Sequence, residues 1–446
     1  MKIDLEDYYT FLKFKSISSE ADYQPEILAC ADWLQNYLKE MGFKTQRWET
    51  SGHPVLFATH LEAGPKKPTL LIYNHYDVQP VDPIELWDSP PFEPTLKGKE
   101  VYARGAQDNK GQCFYVLQGL KHLLKKSATL PINVKLIIEG EEECGSKGIS
   151  EVIKTHRNEL KADYLAIVDL GLRKPNIPAI TLGTRGIIAL DIEAEGSNTD
   201  LHSGSHGGLA YNPIHALIEV LSKIRDSSGK IMIPGFYDDV AILSDEEKQQ
   251  INLKFDESEY KAMFGITASG GEQQFSPMER NWFRPTLEIN GIHGGYTGSG
   301  FKTVIPSKAF AKISCRLVPN QDPDKMVKLI ADYLERQAPP GIKIKAVIHD
   351  GGGKAVRSAP SSNAIQAFAQ AFKEVFQAPC EFIYSGATIP ITSELAEASG
   401  AEVAMLGLGL ADDKIHAPNE HFGIDRIEKG AAVIARTIEL MGNNSH

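Results

Sequence analysis

The 446-residue chain has little cysteine and no long hydrophobic run. Its five cysteines are scattered and none forms a CxxC pair, a usage typical of free thiols in a reducing compartment rather than of disulfides. No apolar stretch approaches the roughly 20 residues of a membrane-spanning helix. Acidic residues also interrupt the N-terminal segment MKIDLEDYYTFLKFKS before a signal-peptide core develops. We therefore expect a cytoplasmic protein.

An excess of positive charge is absent as well. Lys and Arg total 47 against 58 Asp and Glu, which gives a net charge of −11. That sign disfavours nucleic acid and anionic membranes as partners. The apolar fraction of 42% and the charged fraction of 24% are those of a globular protein, and the length predicts two or three domains.

Short apolar runs alternate with helical patterns in the first part of the chain. The apolar runs at 69–74 (TLLIYN), 132–138 (INVKLII) and 164–168 (YLAIV) predict strands, and apolar spacing predicts a helix over 111–126. Strands that are apolar on both faces, separated by helices, are typical of a mostly parallel sheet with helices on either side. The sequence therefore predicts an α/β core.

After Gly186 the pattern changes. Apolar and polar residues alternate over 187–195 and 310–317, as in half-exposed strands, and helices are predicted over 213–226 and 325–336. This combination of half-exposed strands and helices indicates a separate α+β domain.

The α/β texture then resumes, with a predicted helix at 363–376 and a strand at 401–406. We therefore predict a catalytic domain split between residues 1–184 and 355–446, with a central, mostly parallel sheet flanked by helices. An α+β domain, residues 185–354, is inserted between the two parts.

His75 and Asp77 directly follow the first predicted strand. Residues two apart on a strand point to the same face, and a metal-ligating His needs an acceptor for its other ring nitrogen, commonly a carboxylate. His75 as ligand and Asp77 as its partner fit that need. The alternative is an ordinary hydrogen bond at a strand end.

Two further acidic motifs stand before or after predicted elements. Asp108 lies in the loop RGAQDNKG before a helix, where it either faces a cleft or caps that helix. Four glutamates crowd the segment 139–143 after the strand INVKLII. Such crowding costs energy unless cations balance it, although a solvated acidic turn is the alternative.

Asp169 ends a third strand, and His416 lies in the segment DDKIHAP. Each is uninformative by itself. In open α/β sheets, however, ligands bind outside the carboxyl ends of the strands, and several carboxylates with two histidines converge on that edge. Oxygen and nitrogen donors of this kind suit zinc, with manganese or cobalt as further candidates.

The combined motifs resemble those of the dinuclear zinc amidohydrolases. This family includes carnosinase-like dipeptidases, acetylornithine deacetylase, succinyl-diaminopimelate desuccinylase and carboxypeptidase G. The motifs occur in order and at compatible spacing over nearly the whole chain, and the segments DLHSG and RLVPN make cytosolic non-specific dipeptidases the most similar members. The resemblance rests on His75-x-Asp77, Gly105-x-x-Asp108, Glu142-Glu143-x-Gly145-Ser146, Asp169 and His416.

The resemblance implies two divalent metal ions per subunit, with Zn²⁺ expected and Mn²⁺ or Co²⁺ as alternatives. Asp108 would bridge the two ions. His75 and Asp169 would complete one site, and Glu143 and His416 would complete the other.

The resemblance also implies three catalytic roles. Glu142 would be the general base, and Asp77 would orient the ligand His75. His202, in the segment DLHSG, would stabilise the oxyanion in the active site of a partner subunit. The alternative for His202 is a structural position in a Ser/Gly turn.

The inserted domain corresponds to the family's lid or dimerisation domain, so we expect a homodimer that pairs through it. Arg316 would bind the terminal carboxylate of the substrate, because a guanidinium fork suits that group. Thr303 and Thr388, together with His202, would make further substrate contacts. A surface position on a strand is the alternative for Arg316.

The implied enzyme is a metallopeptidase that cuts an amide bond next to a free carboxylate, in a dipeptide or at the carboxyl end of a short peptide. An N-acyl-amino-acid deacylase of the aminoacylase, deacetylase or desuccinylase type is the alternative, because its substrates present the same two groups. A non-catalytic binding protein is disfavoured by Glu142, since metal binding alone requires no base there.

Overall fold

The computed structural model describes residues 3–349, 352–389 and 391–443, and the chain divides into two compact units. The first unit comprises Met1–Gly183, Ser358–Ile383 and Ile391–His446. The second comprises Thr184–Arg357 and Tyr384–Pro390. The short segment Tyr384–Pro390 thus groups with the second unit, although it lies within the stretch 355–446 that the sequence patterns assign to the catalytic domain.

Both units contain helices and strands. In chain order they are α1 (Glu6–Lys13), α2 (Gln24–Glu40), β1 (Lys44–Trp48), β2 (Val55–His60), β3 (Thr69–His75), β4 (Thr95–Lys97), β5 (Glu100–Tyr102), α3 (Lys110–Lys126), β6 (Asn133–Glu139), α4 (Lys147–Thr155), β7 (Tyr164–Val168), β8 (Ala179–Thr184), β9 (Gly186–Glu195), β10 (Leu201–His202), α5 (Ser203–His206), α6 (Pro213–Ser222), α7 (Asp245–Gln250), α8 (Glu257–Phe264), α9 (Pro277–Trp282), β11 (Thr286–Gly294), β12 (Val304–Ile305), β13 (Lys308–Leu317), α10 (Pro323–Arg336), β14 (Lys343–Ile348), β15 (Val356–Arg357), α11 (Asn363–Phe376), β16 (Glu381–Ser385), α12 (Ile391–Ser399), β17 (Glu402–Leu406), β18 (His421–Gly423) and α13 (Ile424–Asn443).

The first unit is built on a central sheet whose strands run in the order β1-β2-β6-β3-β7-β17-β8. Strands β6, β3, β7 and β17 are mutually parallel, while β2 and β8 run antiparallel to their neighbours. From Leu70 onwards β3 is buried, as its continuous apolar run predicts. Helix α13 packs against both α3 and α11. The predicted α/β class, with a mostly parallel sheet and flanking helices, is confirmed.

The second unit contains the antiparallel sheet β11-β13-β9-β14. Buried and partly buried residues alternate along the whole of β9, and its inward side chains Ile188, Leu190, Ile192 and Ala194 form the core with helices α6 and α10. Helix α10 begins at Pro323 after Asp322, whose side chain accepts a hydrogen bond from the Lys325 amide at 3.1 Å. The alternating pattern after Gly186 therefore corresponds to a sheet that is covered by helices on one face only.

One predicted helix is too long. The apolar pattern predicts a helix over 213–226, but α6 ends at Ser222. The carboxylate of Asp226 accepts hydrogen bonds from the amides of Ser228, at 2.8 Å, and Lys230, at 3.0 Å, and this tight turn reverses the chain. Short Asp side chains compete with helical hydrogen bonding in this way.

Within the described residues, the helices include none that is both long and apolar enough to cross a membrane.

Candidate metal centre

The predicted ligands of the first unit come from the carboxyl ends of neighbouring parallel strands. His75 is the last residue of β3, which lies between β6 and β7 in the sheet. Glu142 and Glu143 follow β6, and Asp169 follows β7 directly. Parallel strands end at the same edge of a sheet, so these side chains meet there.

Asp108 and His416 reach the same place from loops, one before α3 and one between β17 and β18. The structure thus brings together all six predicted metal and base residues of the first unit. Their ligand atoms form three groups, each within 4.8 Å: His75 with Asp108 and Asp169, Asp108 with Glu143 and His416, and His75 with Glu142 and Glu143.

The two oxygens of Asp108 face different histidines. Oδ1 lies 3.2 Å from Nε2 of His75, which is also 3.6 Å from Oδ1 of Asp169. Oδ2 lies 3.0 Å from Nε2 of His416, which is also 3.2 Å from Oε2 of Glu143. Asp108 is therefore shared by two sets of three ligands, as a bridging carboxylate would be.

These separations fit metal ions. Ligand atoms 2.0–2.2 Å from a tetrahedral zinc ion lie roughly 3.3–3.6 Å from one another, close to the four distances between these histidines and carboxylates. Oε1 of Glu143 is buried without a hydrogen-bond partner, which is costly unless another group binds it. Imidazole nitrogen and carboxylate oxygen are donors that zinc accepts.

The electrostatics of the cluster point the same way. Burial raises the pKa of Glu142 well above its ordinary value, and the nearby charges of Asp169 and Glu143 add to the rise. Hydrogen bonds to Asp108 and Glu143 raise the pKa of His416 to about 10. Crowded negative charge thus contributes to the first shift and dominates the second, and a divalent cation would relieve it.

Asp77 supports two parts of the cluster at once. It is fully buried, and Nδ1 of His75 lies 3.1 Å from its backbone carbonyl oxygen and 3.3 Å from its Oδ1. Such contacts are suited to holding the ring of a ligating His. Its carboxylate also accepts hydrogen bonds from the backbone amides of Glu142, at 3.2 Å, and Glu143, at 3.0 Å. The sequence does not predict this second set of contacts.

Asn109 is a further site residue that sequence reasoning misses. Its side-chain amide donates to Oδ1 of Asp169 at 2.7 Å, and its Oδ1 accepts from the Asn74 side chain at 2.7 Å. Asn109 is fully buried and holds the loop of Asp108 against the end of β7. The only sequence signal is that an Asn stands directly beside each of two predicted ligands: Asn109 follows Asp108, and Asn74 precedes His75.

The predicted residues of the second unit form two pairs. Nε2 of His202, an exposed residue at the end of β10, lies 3.3 Å from Oγ1 of Thr303. Nη1 of Arg316 donates to Oγ1 of Thr388 at 2.6 Å, and Thr388 donates in turn to the backbone carbonyl of Arg185 at 2.6 Å. The Thr388 hydroxyl thus contacts the Arg316 side chain directly, a contact that the sequence does not predict.

Arg185, whose backbone carbonyl contacts this second pair, is absent from the sequence predictions. Its Nε donates to the carbonyl of Gly386 at 2.8 Å and its Nη1 to the carbonyl of Arg284 at 3.2 Å. Burial and the nearby charge of Arg316 lower the pKa of Arg185 to about 10. Its only sequence signal is a charged residue at the end of the apolar strand β8.

A model of the peptidase family M20/M25/M40 matches residues 71–440, a range that includes every residue of the metal cluster. The chain belongs to this family. Its similarity to individual members extends beyond the cluster. It is 33% identical to the Cys-Gly metallodipeptidase DUG1 of Candida albicans, over 96% of the chain and 92% of that protein. It is 32% identical to the Beta-Ala-His dipeptidase of Rattus norvegicus, over 82% of the chain and 76% of that protein.

Solved structures of the M20/M25/M40 family share the fold. The M20 family metallo-carboxypeptidase Sso-CP2 from Sulfolobus solfataricus has a TM-score of 0.88 and 35% identity, with 99% of this chain and 100% of that chain covered. The di-peptidase Dug1p of Saccharomyces cerevisiae has a TM-score of 0.80 and 28% identity, with 99% and 97% covered. The predicted resemblance to metal-dependent dipeptidases and carboxypeptidases is thus confirmed.

Proposed function

We propose that this protein is a metal-dependent peptidase of dipeptidase or carboxypeptidase type, which cuts the amide bond next to a free carboxylate in a small peptide. The strongest structural support is Asp108, whose two oxygens each face a histidine in a cluster of further carboxylates. Relatives named metallodipeptidase and metallo-carboxypeptidase favour the same class of reaction.

The cluster would hold two divalent ions. Asp108 would bridge them, with His75 and Asp169 completing one site and Glu143 and His416 the other. Zinc suits this donor set best, and manganese or cobalt also accepts it. When bound, the ions would act as Lewis acids on the scissile carbonyl and would lower the pKa of a water molecule.

Glu142 would be the general base. Its side chain lies in a group with His75 and Glu143 but outside the two ligand sets that share Asp108. Its backbone is fixed by the hydrogen bond from its amide to Asp77. It would take a proton from the attacking water and pass that proton to the leaving amine.

Residues of the second unit would recognise the substrate. The Arg316 guanidinium, held on one side by Thr388, would bind the free carboxylate with its remaining donors. His202, with Thr303 beside it, would donate a hydrogen bond to the oxyanion formed from the scissile carbonyl. We place His202 in the reaction of a partner subunit, so the active enzyme would be a homodimer.

An exposed edge of the second unit supports pairing of two copies. Strand β11 is an edge strand of its sheet, and Ile289 and Ile292 on it are half exposed. Together with the half-exposed Ile218 of α6 they line a groove of about 570 Å³. An edge strand with exposed apolar side chains is normally protected, and the same edge of a second copy would cover it symmetrically.

The five cysteines of the chain are free. This supports the expectation of a reducing compartment, and we propose the cytoplasm.

A substrate panel would test the proposed function. The purified protein is loaded with Zn²⁺, Mn²⁺ or Co²⁺ and offered dipeptides and N-acetyl-amino acids, and the release of free amine is measured. We expect turnover of dipeptides that ends when a chelator removes the metal. Turnover of N-acyl-amino acids without any turnover of peptides would replace the dipeptidase by the deacylase alternative.

A further inference from the structure

Glu420 is a fully buried carboxylate that lies outside the ligand sets but accepts four hydrogen bonds from the loop that carries Asp108. Its Oε2 accepts from Nη1 of Arg104 at 2.7 Å and from the amide of Gly105 at 2.8 Å. Its Oε1 accepts from the amides of Gln107 at 2.9 Å and Asp108 at 3.0 Å. The carboxylate thus fixes the backbone of the bridging ligand.

Glu420 also belongs to the segment that carries His416. The backbone of His416 has a φ of 60°, and that of Asn419 a φ of 67°, in the left-handed region that non-glycine residues avoid. Contacts to other parts of the chain must therefore hold this segment in place. The Glu420 carboxylate supplies one set, and Asn419 supplies another by accepting from the Asp88 amide at 2.8 Å and donating to the Leu86 carbonyl at 3.0 Å.

Arg104 extends this link to a third loop. Besides its bond to Glu420, it donates from Nη2 to the carbonyl of Pro80 at 3.0 Å, shortly after the segment of His75 and Asp77. Arg104 is itself buried. The buried pair therefore joins the loop that carries Asp108, the segment that carries His416 and the loop that follows His75.

We propose that Glu420, together with Arg104, is a positioning residue that sets the separation between the metal ligands Asp108 and His416. The inference rests on the proposed metal centre and deepens it. A buried ion pair contributes little net stability, because the desolvation of both charges offsets their attraction. We therefore assign the pair a role in positioning: through the amides of Gln107 and Asp108, Glu420 holds the backbone of the ligand Asp108 in place.

The test compares two buried glutamates. In the Glu420→Gln variant an NH₂ group replaces one acceptor oxygen and faces donors of the 104–108 loop. The control is Glu272→Gln. Glu272 belongs to a similarly buried ion pair of the second unit, in which it accepts hydrogen bonds from Arg284 at 2.6 and 3.0 Å. The melting temperature, the affinity for Zn²⁺ in a chelator competition and the visible spectrum of the Co²⁺ form are measured for both.

We expect Glu420→Gln to lose metal affinity by about 10- to 100-fold, the usual effect of removing a group that supports a ligand, and to change the Co²⁺ spectrum. Glu272→Gln should lower the melting temperature, but its Zn²⁺ affinity and its Co²⁺ spectrum should equal those of the wild type. If Glu420→Gln does not fold, Glu420→Asp replaces it, since it keeps the charge for Arg104 but draws the carboxylate away from the Asp108 loop.

Wild-type affinity and an unchanged Co²⁺ spectrum in a folded Glu420 variant would overturn the positioning role and leave the metal centre intact. A wild-type protein that binds no divalent ion would overturn the metal centre itself. The two failures are therefore distinguishable.

Discussion

Asp108 faces two histidines from distant parts of the chain, with Oδ1 3.2 Å from Nε2 of His75 and Oδ2 3.0 Å from Nε2 of His416. A carboxylate that bridges two cations serves both sites, whereas a terminal ligand serves one. This difference gives a direct test of the two ligand sets.

We predict that Asp108→Ala loses metal at both positions and that Glu143→Ala mainly weakens one. Apo-protein is titrated with Zn²⁺ and the equivalents bound are counted for each variant. The same stoichiometry in both variants would contradict the bridging role of Asp108.

The Glu142→Gln variant should lose at least ~100-fold in kcat, the lower range for the loss of a general acid–base group, while it keeps the metal content of the wild type. The amide keeps the shape of the side chain but cannot accept the proton. Glu141→Gln is the matched control, because the Glu141 carboxylate caps the next helix through the Gly148 amide and lies outside the metal groups. Near-normal turnover by Glu142→Gln would remove Glu142 from the mechanism.

Thr388→Val should raise KM about 10-fold for substrates with a free carboxylate and leave kcat nearly unchanged. The hydroxyl accepts a hydrogen bond from Arg316, and a bond to a charged group contributes roughly 1.5 kcal/mol or more, which is about 10-fold in affinity. Thr388→Ser keeps the hydroxyl and is expected to behave as the wild type. Equal KM values for the Val and Ser variants would show that Thr388 does not orient Arg316.

A mixed dimer should reveal whether His202 acts on the partner subunit. Each parent variant, His202→Ala or Glu142→Gln, should be nearly inactive, since an oxyanion donor is worth roughly 100- to 1,000-fold in rate. In the hybrid, one active site would combine an intact Glu142 with the partner's intact His202. About half of the two sites should then work, as expected for independent sites in a symmetric dimer.

For this experiment the two variants are co-expressed with different tags, and the purified hybrid is assayed. Hybrids no more active than either parent would mean that His202 acts within its own chain or has no part in the reaction.

The fold, and the placing of His75, Glu142 and Asp169 at the ends of strands, were predictable because both follow from local patterns. Strand β7 coincides with the apolar run 164–168. Strand β3 contains the apolar run 69–74 and ends at His75, the first residue after that run. The early end of α6 escaped prediction because a side-chain turn at Asp226 competes with the helix.

The supporting residues could not be predicted from local patterns, because their partners lie far away in the sequence. Glu420 accepts hydrogen bonds from Arg104, Gly105, Gln107 and Asp108, and Arg185 donates one to Gly386. No periodicity or short motif encodes such pairs. Asn109 was adjacent to a predicted ligand, but its bond to Asp169 depends on how two strand ends meet in space.

The sheet of the first unit also has a consequence for how the protein is made. The ribosome synthesises His75 and Asp108 long before strand β17, His416 and Glu420, which follow them in the sequence. A nascent chain on the ribosome therefore has no complete second group of donors until His416 has been synthesised. The proposed second metal site can therefore form only after β17 has docked beside β7, so we expect the growing polypeptide to gain a two-metal centre only when its own fold has closed.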